Sequence, residues 1–175
     1  MYSKLSVFDF DGTLVDTPVP SQENKNKWAE YHGKEWPFIG WWGRKESLDM
    51  DVWDMPLITD TIRDYKKEKS NKDTLVIMLT GRLAKQKPDV MPIVNKYGLE
   101  FDEYLFKRGG ETSDDKIQQL TQLLSKYPTI TSVEMWDDRD EHIPVFEKWG
   151  KSLESQGIEF KINHVPGYHH DDNHK

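Results

Sequence analysis

Three short stretches place acids and a hydroxyl where an apolar run ends. Asp9-Phe10-Asp11-Gly12-Thr13-Leu14 closes the run at 4–9, Thr80-Gly81-Arg82 follows the run at 74–79, and Asp137-Asp138-Arg139-Asp140 follows the run at 132–136. If the runs are strands of an open parallel sheet, ligands bind beyond their carboxyl ends. At least four carboxylates and a hydroxyl then converge on one rim. Carboxylates crowded this way raise one another's pKa or splay apart. A hard divalent cation removes the conflict, because Mg2+ takes oxygen ligands in octahedral geometry and keeps positions for water or phosphate. Asp9 and Asp11 are two residues apart and lean to the same side of an extended chain. Asp9 can then attack phosphorus and form an aspartyl-phosphate. Asp11 can protonate the leaving oxygen and later deprotonate the attacking water. Gly12 permits a sharp exit from the strand. The Thr80 hydroxyl, the Gly81 amide and a lysine can stabilise the equatorial phosphoryl oxygens.

The elements that must position these groups alternate. Residues 4–9 and 74–79 read as strands buried on both faces, 103–106 and 132–136 as shorter strands, and 158–165 as an alternating edge strand. Helical patterns occupy 57–69, 85–97, 114–127 and 141–153. Pro88 and Pro92 demand a late start or a kink in the second, and Ser113 is a plausible N-cap for the third. The alternation predicts an α/β fold with a parallel sheet and helices on both faces. Residues 17–55 fit this scheme poorly. They hold five tryptophans, several Gly and Pro and no long period, and read as an insertion that covers one edge of the sheet. With only about forty aperiodic residues it is too small for an independent cap domain.

The totals suit one domain over 1–167, followed by a flexible polar tail at 168–175. The chain has 175 residues with 24 basic and 31 acidic side chains, a net charge of −7. That balance argues against a generic nucleic-acid binder, although Lys25, Lys27, Lys34, Arg44 and Lys45 could form a local basic rim. No cysteine is present, which excludes disulfides, thiol catalysis and thiolate-bound zinc. No apolar run approaches the roughly 20 residues of a membrane span, so a soluble, cytoplasmic protein without a membrane partner is expected. His164, His169, His170 and His174 lack a rigid setting and read as incidental.

The motifs together resemble the haloacid dehalogenase (HAD) superfamily. Asp9-Phe10-Asp11-Gly12-Thr13-Leu14 is similar to its first motif, Thr80 to its second, Lys116 to its third and Asp137-Asp138 to its fourth. The resemblance implies a three-layer Rossmann-like fold with a five-stranded, mainly parallel sheet. Here the small Trp-rich insertion stands in place of a full cap. It also implies Mg2+ held by Asp9, by the main-chain carbonyl of Asp11 and by one or both of Asp137 and Asp138. A closer likeness is to the Swiss Army Knife RNA repair-like branch, through Thr17-Pro18, Trp28, Gly40-Trp41-Trp42, Trp53 and Asp137-Asp138-Arg139-Asp140-Glu141-His142. Asp137-Asp138-Arg139 is also similar to the phosphatase domain of polynucleotide kinase–phosphatases. These likenesses imply a phosphatase acting on a nucleic-acid end. No kinase P-loop is present, so only the phosphatase half is expected.

Several assignments stay open at this stage. The phosphate lysine is Lys116 or Lys107, and the direct metal ligand is Asp137 or Asp138. Arg82 and Arg139 bind substrate phosphate or pair with nearby carboxylates. The tryptophans pack the insertion or stack on bases, and in an extended Trp41-Trp42 pair only one ring need be buried. The substrate is a nucleic-acid terminal phosphate or a small phosphate ester, or the chain binds such groups without turning them over. An uncapped site favours the polymer.

Overall fold

The computed structural model describes residues 1–166. Five strands form one sheet: β1 (Lys4–Phe8), β2 (Thr74–Leu83), β3 (Glu103–Lys107), β4 (Ser132–Asp137) and β5 (Glu159–His164), in the order β3-β2-β1-β4-β5. Every neighbouring pair is parallel. The helices are α1 (Gln22–His32), α2 (Thr59–Lys69), α3 (Lys87–Lys96), α4 (Thr112–Lys126) and α5 (Ile143–Glu154). The proposed tail at 168–175, with His169, His170 and His174, lies outside the described residues. Among the described residues no helix is long and apolar enough to cross a membrane.

The strand pleat divides the core in two. Leu5 and Val7 of β1, with Leu75, Ile77 and Leu79 of β2, pack against Leu120 and Leu123 of α4 and Phe146 and Leu153 of α5. Phe8, Val76, Met78 and Trp136 point to the opposite face, where Ile62 and Tyr65 of α2 and Val90, Ile93 and Val94 of α3 cover them. This is the two-sided burial that apolar runs without alternation require. Phe8 and Trp136 stack at 4.2 Å between centroids, which ties β1 to β4 just below their carboxyl ends.

Helix starts differ in detail from the sequence reading. Ser113 does not cap α4. Glu111 does, accepting from the amides of Ser113 at 3.1 Å and Asp114 at 2.9 Å. A carboxylate at a helix N-terminus also meets the positive end of the dipole. Of the two prolines of α3, only Pro88 sits where an early-helix residue is expected. A 3-10 turn (Ala84–Gln86) delays the α-helix to Lys87, Pro88 sits in its first turn, and Pro92 is accommodated inside.

The insertion holds more order than its sequence indicates. It is closed at its stem, where Val15 pairs antiparallel with Leu57 and the Asp16 amide donates to the Pro56 carbonyl at 2.8 Å. It contains α1, capped by Ser21, and a 3-10 turn (Lys45–Leu48). The low polarity contrast of α1, QENKNKWAEYH, hid it from a periodicity search, because Trp28 is its one buried side chain. Nor does the segment merely cover an edge. Trp28, Trp41 and Trp53 are buried and merge with the core beneath α2 and α3. Trp36 bridges Trp28 and Trp41, with centroids 5.1 Å and 4.7 Å away.

One close contact gives a direct test of this packing. A Cβ on Gly150 of α5 would stand 2.1 Å from Cδ2 of Phe160 in β5. Gly150→Ala gains about 1 kcal/mol in helix propensity, but the added methyl would meet Cδ2, Cγ and Cε2 of the partly buried Phe160 ring at 2.1–2.7 Å, which places the overpacking cost toward the upper end of about 1–3 kcal/mol. The variant should therefore unfold at lower urea concentration than the wild type. Equal or greater stability would show that α5 and β5 are not packed this closely.

Candidate active site

The site begins where β1 stops. The amide of Asp9 donates to the Trp136 carbonyl at 3.1 Å, continuing the pairing with β4 for one residue. The chain then winds about a single acceptor. The Phe10 carbonyl takes the amides of Thr13, Leu14 and Val15 at 3.3, 3.1 and 3.2 Å. Gly12, at φ 70°, makes that reversal without Cβ strain. Asp9 thus faces the carboxyl end of β4, and Asp11 is swung toward β2.

Asp9, Asp137 and Asp138 are buried together, each with a carboxylate oxygen within 4.8 Å of the others. Lys116 lies between two of them, its Nζ 3.0 Å from Asp9 and 2.9 Å from Asp137. It lies four residues before Leu120 and seven before Leu123, so it shares the inward face of α4. The Thr13 hydroxyl donates to Asp9 at 3.1 Å and lies 3.4 Å from Asp138. Lys107 is placed differently. It lines the cavity and donates to the Thr112 hydroxyl at 3.0 Å. Of the two lysines, Lys116 is the one that joins the acids.

Three buried carboxylates face one ammonium, and their proton affinities record the imbalance. Burial pushes Asp9 up to about 6, with Asp137 and Asp11 adding to the rise and Lys116 opposing it. Burial also raises Asp138, and the charges of Asp9 and Asp137 carry it to about 11. Asp137 goes the other way. Burial disfavours its charge, but the contact with Lys116 outweighs that and holds it below the usual range. Lys116 is held above its ordinary value, because the pull of Asp137 and Asp9 exceeds its own burial penalty. An all-oxygen donor set with this surplus of negative charge fits a hard divalent cation such as Mg2+.

Asp11 stands apart from that cluster and is clamped. Nε and one terminal nitrogen of Arg82 grip its two carboxylate oxygens at 2.9 and 2.7 Å, and the Thr17 hydroxyl donates to it at 2.7 Å. The remaining terminal nitrogen of Arg82 donates to the Trp42 carbonyl and the Ser47 hydroxyl, both at 2.9 Å. Arg82 is 2% exposed. Of the two roles open to Arg82, phosphate binding or pairing with a carboxylate, the structure shows the pairing: four of the five guanidinium N–H groups are taken by protein, two of them by Asp11. Arg139 pairs with Glu141 at 3.1 Å and lies in the cavity wall.

A cavity of about 310 Å³ opens over these groups, lined by Asp9, Asp11, Trp42, Gly81, Lys116 and Asp138 among others. Gly81 belongs to this lining. A Cβ there would meet Cγ2 of Thr112 at 2.9 Å, so glycine lets β2 and α4 approach. Thr80 is buried next to it, and its hydroxyl accepts from the Arg82 amide at 3.1 Å. His164, on β5, pairs with Asp140 at 2.6 Å. The sequence reading missed Gln86. Its side chain donates to the Trp42 carbonyl at 2.7 Å and accepts from the Leu83 amide at 3.1 Å. No local pattern marks a glutamine that bridges segments 44 residues apart.

The crowding has a measurable sign. Asp138 and Asp9 hold protons more tightly folded than unfolded, from about pH 4 up to about 6 for Asp9 and about 11 for Asp138. Their contribution to stability without divalent cation then falls as pH rises through those ranges. In chelator at neutral pH, Asp138→Asn should be more stable than wild type by at least about 1 kcal/mol, one pKa unit being about 1.4 kcal/mol. Added Mg2+ should narrow the gap by stabilising the wild type. Urea titrations in which the Asn variant is no more stable in chelator would refute this charge balance.

Comparison with known proteins places the arrangement in a family. Residues 33–172 match the model described as HAD domain family 1 in Swiss Army Knife RNA repair proteins. That segment includes Thr80, Lys116 and Asp137-Asp138 and starts after the Asp9–Leu14 stretch. A Saccharomyces cerevisiae protein, "Uncharacterized protein YMR265C", is 24% identical over 178 residues, covering 87% of this chain and 38% of its own. A chain of the Pnkp1/Rnl/Hen1 complex superposes with a TM-score of 0.56 at 18% identity, over 94% of this chain and 45% of that one. A haloacid dehalogenase-like hydrolase from Streptococcus pneumoniae gives 0.56 at 11% identity, over 94% and 95%. The superpositions show a shared fold. This chain spans less than half the length of the yeast protein and of the Pnkp1/Rnl/Hen1 chain. Matched over most of its length, the chain belongs to HAD domain family 1 of the Swiss Army Knife RNA repair proteins, a branch of the haloacid dehalogenase superfamily.

Proposed function

We propose that this chain is a Mg2+-dependent phosphohydrolase in which Asp9 is the nucleophile, and that its substrates are terminal phosphates of nucleic acid. The observation that carries the chemistry is the buried Asp9–Lys116–Asp137 bridge, with Asp138 in the same cluster, beside an open cavity. Support for the substrate comes from the RNA-repair family match and from the superposition on a chain of an RNA repair complex. Among the described residues it is the Trp-rich insertion, not a separate cap domain, that contributes to the cavity wall, and this agrees with both.

Asp9 Oδ attacks phosphorus and the bond to the leaving oxygen breaks, while Asp11, protonated and turned out of the Arg82 grip that engages both its oxygens, gives that oxygen a proton. Asp11 then takes a proton from water as the water oxygen attacks the same phosphorus. The acyl–phosphate bond breaks, releasing phosphate and restoring both acids. Lys116, the Gly81 amide and the Thr80 hydroxyl are the assigned donors to the phosphoryl oxygens. Asp9, the Asp11 carbonyl and Asp138 would hold Mg2+, which supplies charge neutralisation and Lewis acidity when bound. Asp138 is preferred over Asp137 because both oxygens of Asp137 are engaged, one by Lys116 and one by the Arg139 amide at 3.0 Å. Asp137 then acts by fixing Lys116.

Purified Asp9→Asn should lose hydrolysis to background, and a variant with wild-type turnover would remove Asp9 as nucleophile. Asp11→Asn keeps the main-chain carbonyl. It should retain stabilisation by Mg2+ while turnover drops by about 10²–10⁴-fold, the usual worth of a general acid. A panel of phosphorylated oligonucleotides, mononucleotides and sugar phosphates, each with Mg2+ and with chelator, tests the substrate. Higher kcat/KM on oligonucleotides supports the reading. A clear preference for a small ester replaces it with the small-molecule phosphatase alternative.

A further inference from the structure

The wall of the cavity continues into a recess that the reaction above leaves unused. A cleft of about 260 Å³ is lined by Gly43, Arg44, Lys45, Lys85, Gln86 and Asp89. Gly43 and Gln86 also line the cavity over Asp9, so the two spaces adjoin. The cations come from separate segments. Lys45 opens the 3-10 turn of the insertion, and Lys85 lies in the 3-10 turn before α3. Both are exposed, and among the described residues neither is held in an ion pair. Arg44 is occupied differently, paired with Glu46 at 2.8 Å and set 3.9 Å over the Phe38 ring. Asp89 is the single acid in the lining, against two uncommitted lysines.

Trp42 stands where cavity and cleft adjoin, directly before Gly43 in the chain. Unlike Trp41, which is buried, it is only half-buried and lines the cavity. The cavity thus carries Asp9 and an indole, and the cleft that shares Gly43 and Gln86 with it carries two lysines. Stacked aromatics beside backbone-tracking cations are how single strands are held without base readout. A protein with net charge −7 repels a polyanion at long range, so local cations must supply the contact.

We propose that this cleft is a subsite for the backbone of single-stranded nucleic acid, with Trp42 as platform for the terminal base and Lys45 and Lys85 taking the adjoining phosphate. This rests on the nucleic-acid reading of the Asp9 site and adds the side by which the strand leaves it.

The test is steady-state kinetics with Mg2+ on an oligonucleotide of about six nucleotides carrying a terminal phosphate, and on the matching mononucleotide, across a range of salt. Each phosphate neutralised on a single strand contributes about 0.7 to the log–log salt slope. Both lysines serve one phosphate, so Lys45→Ala/Lys85→Ala should flatten the slope of oligonucleotide kcat/KM by about 0.7, mostly through KM. Trp42→Ala should lower the oligonucleotide-to-mononucleotide ratio, and Trp42→Phe should recover part of it. Thermal melts check that the variants fold. If the wild type prefers the oligonucleotide but the double variant keeps both the wild-type slope and the wild-type ratio, the subsite is refuted while the substrate reading stands. If the wild type prefers the mononucleotide, the substrate reading fails and this inference with it.

Discussion

The site is organised around one buried ammonium. Lys116 touches Asp9 and Asp137 at about hydrogen-bond distance while almost wholly removed from water. Removing a charge from water costs several kcal/mol unless well-placed partners compensate. Here the partners come from β1 and β4, and the lysine from α4, which must pack tightly against β2 to deliver it. Gly81 allows that approach, and the Glu111 cap fixes where α4 begins. The fold's positions at this rim follow from satisfying that bridge.

A single ammonium does not balance three carboxylates. Asp137 is satisfied by Lys116 and the Arg139 amide, whereas the crowding raises the proton affinity of Asp138 and, less strongly, of Asp9. Burial leaves the Asp9 carboxylate poorly solvated and raises its proton affinity, the state that the proposed attack on phosphorus calls for. The same surplus that strains the site without a cation is what would attract one.

Asp11 is governed by a different cation. Arg82 grips it with two parallel hydrogen bonds, a geometry lysine cannot reproduce, and ties it to the Trp42 carbonyl and the Ser47 hydroxyl. The acid's orientation therefore depends on the insertion as well as on the sheet. Gln86 strengthens the link by holding the same carbonyl. The insertion is small, but it is anchored in the core by Trp28, Trp41 and Trp53, so it can act as a rigid wall.

The sheet was legible in the sequence because the inner strands are apolar runs bounded by polar turns and the edge strand β5 alternates, and all five were located within a few residues. The acids were legible for the same reason, since they end those runs. Helix α1 was not, because one buried tryptophan on a polar helix leaves no period to find. Ser113 misled as a cap because local chemistry does not rank it against Glu111 two residues earlier. By itself the sequence determined which side chains reach the rim, since strand periodicity fixes that locally. Only the tertiary structure decided their partners: Lys116 over Lys107 for Asp9, and Arg82 for Asp11 rather than for phosphate. Those choices depend on distances between segments separated by 71 to 107 residues, which no local pattern encodes.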